Sequence, residues 1–319
     1  MPEKASVQER LTSPVSISKH YDPDAEVVFY EGDCMDILPQ IEDNSIALVV
    51  TSPPYNLGKE YETKKSLDDY AKGQETVLME CIRILRNGGS LCWQVGNYIQ
   101  NGEILPLDIF FYNLVKQIGN KYPEYSMNLR NRIIWHFGHG LHAANRFSGR
   151  HESILWFTKG ENYTFNLDAV RVPQKYPGKK AYKGPRKGQL SGHPLGKNPS
   201  DVWNIPNVKS NHIEKTIHPC QFPVALIARL ILSLTNEREI ILDPFSGVGT
   251  TCVASIMNNR RSIGMELVPE YVEIAIERIR KASMGILKTR PLDKPLYRPN
   301  HEAKRVQELL DPENIDDHN

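Results

Sequence analysis

The sequence predicts an α/β protein built on a doubly wound sheet, with helices on both faces. A buried apolar run, 46–50, stops at two consecutive prolines, and a helical pattern and a further strand follow it. Later in the chain, 239–251 has the pattern of a strand, a glycine-rich turn and the start of a helix, and 261–266 is predicted as the next strand. Strands that alternate with helical segments in this way are typical of parallel sheets.

The first half of the chain continues this alternation. Residues 27–30 form a short apolar run and are predicted as a strand. A helix is predicted to begin at Ser66, because Asp69 completes a capping box three residues later. The apolar face of this helix comprises Val77, Leu78, Cys81, Ile82 and Leu85. The triplet Asn-Gly-Gly at 87–89 is predicted to end it, and 90–95 is the following strand.

The second half supplies the remaining elements. Residues 105–119 are predicted as a helix, and 133–137 and 153–157 as the two strands of a hairpin closed by the loop between them. Two helical patterns complete the layout, the strongly apolar 223–234 and the amphipathic 268–282.

The most informative segment is Thr51-Ser52-Pro53-Pro54-Tyr55. Two adjacent prolines remove two backbone donors and fix two φ angles, so the loop after the strand is rigid. Such a loop suits a planar heterocycle, since Tyr55 can stack on its face. Ser52 and a proline carbonyl can accept hydrogen bonds from an amino group at its edge. A surface turn is the simpler interpretation of the same residue types.

A glycine-rich turn, 243–249, forms the second informative segment. Its glycines let a ligand approach the backbone, and the helix that follows offers free N–H groups. A dinucleotide fingerprint would place a third glycine where Cys252 stands, so pyrophosphate binding is disfavoured. Glu266 ends the next strand, where an acid can bond the hydroxyl pair of a ribose. The order of these features indicates an adenosine-containing ligand.

Together, TSPPY and DPFSGVGTT resemble the motifs of the S-adenosylmethionine-dependent DNA methyltransferases that modify exocyclic amino groups. A catalytic motif that precedes the cofactor motif is the permuted order of the beta class, the N4-cytosine/N6-adenine family of restriction–modification systems. The resemblance covers roughly residues 26–282. Residues 30–34 resemble the family's acid-bearing turn. His-Pro-Cys-Gln-Phe-Pro at 218–223 resembles its HPTQKP-like cofactor segment, with Cys in place of Thr and Phe in place of Lys.

This resemblance implies a Rossmann-like methyltransferase sheet, S-adenosylmethionine as cofactor, and two sets of site residues. The catalytic set is Ser52, Pro53, Pro54 and Tyr55. The cofactor-binding set is Asp33, His218, Asp243, Phe245, Gly247, Gly249 and Glu266. The implied reaction is direct in-line attack by the amino nitrogen of a flipped-out base, without a covalent intermediate or a metal. Serine in the first motif position favours N4-cytosine as the target, with N6-adenine as the open alternative.

Between the two motifs lies a basic segment, 171–197, with eight Lys or Arg, no Asp or Glu, and the aromatic residues Tyr176 and Tyr182. A solvated loop is the simpler interpretation of this composition. The family places its target-recognition region here, however, and basic side chains would neutralise phosphates while tyrosines stack on bases. The predicted DNA-binding residues are Lys179, Lys180, Lys183, Arg186 and Lys187.

These features divide the chain into five parts. They are an N-terminal arm, the catalytic half of the methyltransferase domain, the target-recognition insert, the cofactor-binding half and a C-terminal tail, with the respective bounds 1–25, 26–165, 166–215, 216–283 and 284–319.

Composition narrows the class of protein. The 319 residues carry a net charge of +1, so affinity for nucleic acid must come from local patches. Five cysteines without paired spacing indicate reduced thiols, and no apolar run reaches membrane-spanning length. These features agree with a cytoplasmic enzyme that has no membrane partner. The resemblance implies a nucleoid-associated enzyme of a prokaryote or phage, with double-stranded DNA as its partner. A cognate restriction endonuclease and a homodimer remain open.

Two residue patterns suggest other chemistry. Pro219-Cys220-Gln221 matches the motif of C5-cytosine methyltransferases, in which the cysteine attacks the ring. Those enzymes place the motif after the cofactor motif, so we interpret Cys220 as a small buried thiol. His136, His139 and His142 suggest a metal site, but no cysteine or carboxylate cluster accompanies them in the sequence, which favours ordinary loop histidines.

Other function classes fit less of the chain. A nicotinamide-dependent oxidoreductase lacks the third glycine of its fingerprint. A non-catalytic DNA-binding protein leaves both the Pro-Pro-Tyr loop and the cofactor turn unexplained. RNA or a protein glutamine as substrate stays open, although the basic segment favours nucleic acid and the permuted order favours DNA.

Overall fold

The computed structural model describes residues 15–56, 64–138, 140 and 142–294. In this part of the chain the strands are β1 Ile17–Ser18, β2 Val27–Glu31, β3 Ile46–Thr51, β4 Leu85–Val95, β5 Asn97–Gln100, β6 Glu103–Pro106, β7 Asn128–His136, β8 His151–Thr158, β9 Val202–Asn204, β10 Ile240–Asp243 and β11 Arg261–Glu266. The α-helices are α1 Cys34–Ile37, α2 Leu67–Ile84, α3 Leu107–Lys121, α4 Val224–Leu234, α5 Thr250–Met257 and α6 Pro269–Ser283. Short 3₁₀ turns occupy Leu38–Gln40, Pro123–Tyr125 and Leu167–Ala169.

Nine of these strands form one sheet in the order β1-β2-β11-β10-β3-β4-β8-β7-β9. The neighbours from β1 to β4 are all parallel, whereas β8 is antiparallel to both β4 and β7. The remaining pair, β5 and β6, is a separate antiparallel hairpin. The sheet confirms the predicted doubly wound α/β class, and β7 with β8 confirms the predicted hairpin.

Helices cover both faces of the sheet. One apolar cluster joins α2 and α3 to the sheet, and the other joins α4, α5 and α6 to its opposite face. The period of two along β3 divides its side chains between them, because Val49 lies in the first cluster while Leu48 and Val50 lie in the second. All six residues of β3 are buried, as expected for a central strand of a parallel sheet.

The boundaries of two helices differ from the sequence-based prediction. Helix α2 begins after Ser66 as predicted, but it ends at Ile84, and residues 87–89 belong to β4. The glycines there lie within a strand, because Gly88 donates its backbone N–H to the Lys159 carbonyl and Lys159 donates in return to Gly89. The predicted end of α2 at 87–89 was therefore wrong. Helix α3 begins two residues later than predicted, since residues 105 and 106 pair within β6.

Strands extend beyond the predicted halves of the domain. Strand β1 lies within the predicted arm 1–25, and β9 lies within the predicted insert 166–215, where it pairs with β7 at the edge of the sheet. The five-part division stays a prediction. Residues 1–14 of its arm and 295–319 of its tail lie outside the described residues. Within the described chain, no helix combines the length and apolarity that membrane crossing requires.

Candidate active site

The two sequence motifs meet at one edge of the sheet. Strands β3 and β10 are parallel neighbours, so the loops after Thr51 and after Asp243 leave the sheet side by side. From β3 the chain continues to β4 on one side, and from β10 it continues to β11 on the other. The boundary between β3 and β10 is therefore a topological switch point, the place where open α/β sheets bind ligands.

A cavity of about 620 Å³ opens at this switch point. Nine of the eleven predicted catalytic and cofactor residues line it, namely Asp33, Ser52, Pro53, Pro54, Tyr55, His218, Phe245, Gly247 and Glu266. Asp243 and Gly249 lie behind the wall instead. The volume falls within the range of 300–1,000 Å³ typical of small-molecule and cofactor sites.

A directional hydrogen-bond chain orients the hydroxyl of Ser52. Its Oγ donates to the Tyr55 hydroxyl at 3.1 Å, and that hydroxyl donates to Oε1 of Gln94 at 2.9 Å. The Gln94 amide nitrogen in turn donates to Glu152 on β8. Because the Ser52 hydroxyl has one proton and donates it to Tyr55, the lone pairs of its oxygen remain to accept hydrogen bonds at the cavity. Burial, followed by the charge of Glu152, raises the pKa of Tyr55 well above its usual range, so the phenol keeps its proton.

The proline carbonyls of the loop have separate roles. The Pro54 carbonyl accepts a hydrogen bond of 2.7 Å from the hydroxyl of Tyr70 on α2, which ties the loop to the helix. Among the described residues, no group donates to the Pro53 carbonyl, which leaves it available as an acceptor at the cavity. The buried Asn56 then joins the loop to Lys65 through two hydrogen bonds, of 2.9 and 2.7 Å.

Asp243 links the two motifs from behind the cavity. Its carboxylate accepts a hydrogen bond of 2.6 Å from Thr51 on the catalytic strand and another of 2.6 Å from Thr251 on the cofactor helix. The backbone N–H of Phe245 donates a third, at 3.1 Å. Burial raises the pKa of Asp243 to about 6, although these hydrogen bonds act in the opposite direction. Both carboxylate oxygens are thus used within the protein.

Two glycines of the cofactor turn lie close to different parts of the protein. Gly247 has a φ of 51°, and a Cβ there would lie 3.0 Å from Nε2 of His218 across the cavity. Gly249 has a φ of 70°, and its Cβ would lie 2.8 Å from Cβ of Ala275. The left-handed backbone and the close contacts favour glycine at both positions. Gly247 keeps ligand space open, whereas Gly249 allows α5 to pack against α6.

The ionisable residues of the cavity are held by the backbone. Glu266 accepts hydrogen bonds of 2.9 Å from the N–H groups of Gly247 and Val268, and burial raises the pKa of its carboxyl. Asp33 caps α1 by accepting 2.9 Å from the N–H of Met35. The His218 ring packs edge-on against Tyr271, with their centroids 4.7 Å apart. Tyr271 and Gln94 were not predicted as site residues, because neither belongs to a recognisable motif.

The residues of the two alternative chemistries, a cysteine nucleophile and a histidine metal site, lie in different surroundings. Cys220 is exposed and lines the cavity, so its interpretation as a buried thiol was wrong. Its backbone N–H donates to Nδ1 of His218 within a turn, which leaves the side chain outside the core. His136 bonds Asn204 at 2.8 Å, and His139 lies outside the described residues. In the described ranges, no three His, Cys, Asp or Glu residues stand close enough together to hold a metal ion.

The predicted DNA-binding lysines and arginine do not line the cavity, and all of them are exposed on the segment 171–197. This segment has short local pairings rather than regular strands, such as Lys180 with Leu190 and Ala181 with Lys187. Backbone hydrogen bonds of 3.0 and 2.9 Å join Val172 and Lys197 at its base. The segment therefore forms a closed loop in which the lysines and Arg186 are exposed, while Arg171 pairs with Asp168 at its base.

Comparison with known proteins identifies the class that the fold and site define. The family model described as DNA methylase matches residues 46–277, well over half of the chain. The Type II methyltransferase M.BglII of Bacillus subtilis is 50% identical over 249 residues, which cover 78% of this chain and 67% of that protein. The DNA adenine methyltransferase YhdJ of Escherichia coli (strain K12) is 33% identical over 260 residues, covering 79% and 82%.

Solved structures show the same fold. PvuII DNA methyltransferase (cytosine-N4-specific) superposes with a TM-score of 0.61 at 20% identity, over 88% of this chain and 98% of that one. TTHA0409 from Thermus thermophilus, complexed with S-adenosyl-L-methionine, superposes with a TM-score of 0.55 at 26% identity, over 81% and 96%. The chain belongs to the DNA methylase family and is an S-adenosylmethionine-dependent DNA amino-methyltransferase of the restriction–modification type.

The cavity fits this cofactor. Gly247 leaves open a space that a Cβ would fill, and the cofactor turn brings its backbone to the cavity wall. The carboxylate of Glu266 stands at the end of β11, the position from which an acid can bond ribose hydroxyls. Phe245 and Tyr271 add aromatic rings to the cavity wall, and the faces of such rings attract a cation such as the sulfonium of the cofactor.

Proposed function

We propose that this enzyme methylates the exocyclic N4 of cytosine at a specific site in duplex DNA. The observation that carries amino-methylation is the orientation of Ser52, and the serine itself, at this motif position, favours cytosine over adenine. Ser52 lines the cavity that the catalytic loop shares with the cofactor turn, and it donates its proton to Tyr55, which leaves the lone pairs of Oγ as acceptors. A hydroxyl held in this way accepts a hydrogen bond from an amino group instead of donating one.

The catalytic loop prepares the amino group for attack. An exocyclic amine is a poor nucleophile, because its lone pair is conjugated with the ring. When the two amino hydrogens donate hydrogen bonds to Ser52 Oγ and to the Pro53 carbonyl, a pyramidal nitrogen with a localised lone pair is favoured. S-adenosylmethionine, when bound, supplies an electrophilic methyl group. Holding the two reactants in line accounts for much of the acceleration, and the proton of the product amine leaves to water.

The chain from Ser52 to Glu152 positions groups and does not relay protons. The Gln94 amide stands between the Tyr55 hydroxyl and the Glu152 carboxylate, and an amide does not readily pass a proton from its oxygen to its nitrogen. Glu152 fixes the direction of the Gln94 amide by accepting from its nitrogen. Gln94 Oε1 consequently faces Tyr55 as an acceptor, and the Ser52 hydroxyl turns its proton away from the base.

The target base must leave the duplex to reach this cavity, and Tyr55 supplies a ring on which it can stack. The cofactor is held by Asp33, His218, Phe245, Gly247 and Glu266, all of which line the cavity. Asp243 and Gly249 support the cofactor turn from behind, through hydrogen bonds and through helix packing respectively.

Adenine N6 is the second candidate target. The 33% identity with YhdJ, a DNA adenine methyltransferase, favours it. Ser52 favours cytosine, since a carboxylate or amide in the first motif position is the form that the family more often uses for adenine. Both bases present an amino group on a planar ring, so the same acceptors serve either. The basic residues Lys179, Lys180, Lys183, Arg186 and Lys187 neutralise phosphates of the duplex in either case.

Nucleoside mass spectrometry decides between these targets. The protein is incubated with mixed-sequence duplex DNA and S-adenosylmethionine, and the DNA is digested to nucleosides. We expect N4-methyldeoxycytidine. N6-methyldeoxyadenosine instead would keep the mechanism and change the base, and the absence of both from a cofactor-binding preparation would refute DNA amino-methylation.

Ser52→Ala is the matching variant. It removes the acceptor at the cavity, so we expect most turnover to be lost while affinity for S-adenosylmethionine is kept. Ser45→Ala is the control, because the Ser45 hydroxyl bonds the Glu42 carbonyl at 2.6 Å before β3, at the opposite edge of the sheet. Full activity of Ser52→Ala would remove Ser52 from the mechanism.

A further inference from the structure

The tip of the β7–β8 hairpin has features that the methylation chemistry does not use. We define the hairpin tip as residues 142–151. It contains Arg146, Arg150 and two histidines, and the sequence has no Asp or Glu between residues 137 and 151. Phe147 lies at its centre and is fully exposed. A large apolar side chain in water forgoes about 1.5–3 kcal/mol of burial, which suggests a surface that covers it in a complex.

The fold places the hairpin tip at the active-site edge of the sheet. Strand β4 is parallel to β3, with Trp93 beside Thr51, so both strands end at this edge. Strand β8 is antiparallel to β4, with Ser153 beside Val95, so the residues before Ser153 extend beyond the same edge. The hairpin tip therefore projects on the side where the catalytic loop opens.

Side chains connect the hairpin tip to the catalytic loop. Glu152, the residue that follows the tip, accepts a hydrogen bond from Gln94, and Gln94 accepts one of 2.9 Å from the Tyr55 hydroxyl. Phe147 is five residues before Glu152, so the two Cα atoms lie at most roughly 18 Å apart. This separation of the two Cα atoms is of the same order as the width of the major groove of B-DNA, which is about 12 Å.

Two hydrogen bonds hold the backbone of the hairpin tip. Phe137 donates its N–H to the Arg150 carbonyl at 3.1 Å, which continues the pairing of β7 with β8. Ala143 donates its N–H to Ser148 Oγ at 3.1 Å and closes the turn around Phe147. A turn held at two points presents its central side chain outward instead of letting it fold back onto the protein.

We propose that Phe147 is a wedge that enters the DNA base stack at the position vacated by the target base. The inference rests on the proposed function, because only an enzyme that flips its target leaves such a gap. Proteins that bend or open DNA insert apolar side chains between bases in this way, and the cationic flanks, Arg146 and Arg150, suit the adjacent phosphates. Arg146 has no ion-pair partner in the described ranges, so a phosphate is a fitting counter-charge.

Paired and unpaired targets distinguish a wedge from a simple contact. The wild-type protein first methylates mixed duplex DNA, and sequencing of the product maps the methylation site. Two oligonucleotide duplexes then carry this site, one with the target base paired and one with it mismatched. Phe147→Ala should methylate the paired target at least tenfold more slowly than the wild type. This factor corresponds to an activation free energy that is about 1.4 kcal/mol higher, because the wedge no longer assists unpairing. It should stay within twofold on the mismatched target.

Two further variants control for other roles of the aromatic ring. Phe147→Leu keeps apolar bulk and should retain most of the rate on the paired target. Tyr112→Ala removes another exposed aromatic side chain, from helix α3, and should show no selective loss. Equal slowing of Phe147→Ala on both duplexes, no slowing at all, or the selective loss in Tyr112→Ala instead would each overturn the proposal.

The arginines give an independent readout. Arg146→Gln should weaken binding of the paired and the mismatched duplex by the same factor, and should lower the salt dependence of binding by about one unit of slope. An unchanged slope would remove Arg146 from the phosphates. A wild-type protein that methylates no duplex would refute the proposed function itself, a result distinct from an active enzyme that tolerates Phe147→Ala.

Discussion

At the scale of single residues, Tyr55 determines the direction of the Ser52 hydroxyl. Tyr55→Phe keeps the ring but removes the acceptor of the Ser52 proton, so the hydroxyl can turn that proton towards the substrate amine. We expect kcat to fall about tenfold, the effect of losing one hydrogen bond of about 1.4 kcal/mol. Steady-state kinetics should show an unchanged KM for S-adenosylmethionine. Tyr112→Phe, on an exposed part of α3, is the control, and a similar loss there would contradict this role.

Asp243 makes stability depend on pH. Its pKa is about 6 in the folded protein, above the usual value near 3.9, so the folded state binds more protons between these limits. Stability therefore rises as the pH falls from about 6 towards about 4, and the contribution is lost as the pH rises through 6. Lowering the pH from 7 to 5 should add roughly 1 kcal/mol from this carboxyl alone.

Denaturant unfolding of the wild type and of Asp243→Asn isolates this contribution. The variant has no carboxyl to titrate, while every other group is retained. The difference between the two free energies of unfolding should change by roughly 1 kcal/mol between pH 7 and pH 5, in favour of the wild type at pH 5. A difference that is constant across this range would show that Asp243 does not titrate there.

A substitution at Gly247 tests whether the cofactor turn leaves space for S-adenosylmethionine in the cavity. Gly247→Val would place side-chain atoms against His218 and fill the space that the cofactor needs. We expect calorimetry to show at least a hundredfold weaker binding of S-adenosylmethionine. Gly160→Val imposes similar backbone strain, with a φ of 79°, but has no atom within 4 Å of its added Cβ. Equal loss in both variants would attribute the effect to strain and not to the cavity.

At the scale of elements, a distant carboxylate caps helix α4. Pro223 offers no side-chain cap, and the buried Glu214 instead accepts a hydrogen bond of 2.8 Å from the N–H of Val224. Its second oxygen accepts from the N–H of Arg290 at 2.8 Å. The negative charge also favours the ionised form of the buried Arg278, whose pKa burial lowers to about 10. One side chain thus joins three parts of the chain.

Removing this carboxylate should destabilise the fold. Glu214→Ala loses a helix cap and a hydrogen bond to the backbone of Arg290, which together cost about 2 kcal/mol. Thermal unfolding should show a Tm lower by about 4–8 °C. Glu273→Ala, on the exposed face of α6, is the control and should change the Tm little. An unchanged Tm in Glu214→Ala would mean that water replaces the cap.

The elements themselves were largely predictable, because their patterns are local. The capping serine of α2, the buried run of β3 and the strand bounds of β11 follow from residues within a few positions of one another. The prediction was wrong where a partner elsewhere in the chain decides the conformation. Residues 87–89 would end an isolated helix, but their backbone groups pair with Lys159 and join a strand.

At the scale of the whole molecule, a net charge of +1 requires the DNA to meet a local basic surface. Replacing Lys179, Lys180, Arg186 and Lys187 with Gln should weaken DNA binding. The slope of log K against log salt should become shallower by up to about 3.6, because each phosphate contact contributes about 0.9. Fluorescence anisotropy over a salt series measures this slope, and binding of S-adenosylmethionine should be unaffected. An unchanged slope would place the phosphates elsewhere.

The sequence by itself determined the two motifs, the order of strands and helices around them, and nine residues that line one cavity. Local patterns suffice for these, since turn chemistry and periodicity act over a few residues. Only the tertiary structure decided that Thr51 and Asp243, 192 residues apart, share a hydrogen bond, that Gln94 and Glu152 orient Ser52, and that Cys220 is exposed. Such contacts depend on which strands become neighbours in space. The spatial order of strands in the sheet, unlike their succession along the chain, is a property of the whole chain rather than of any segment.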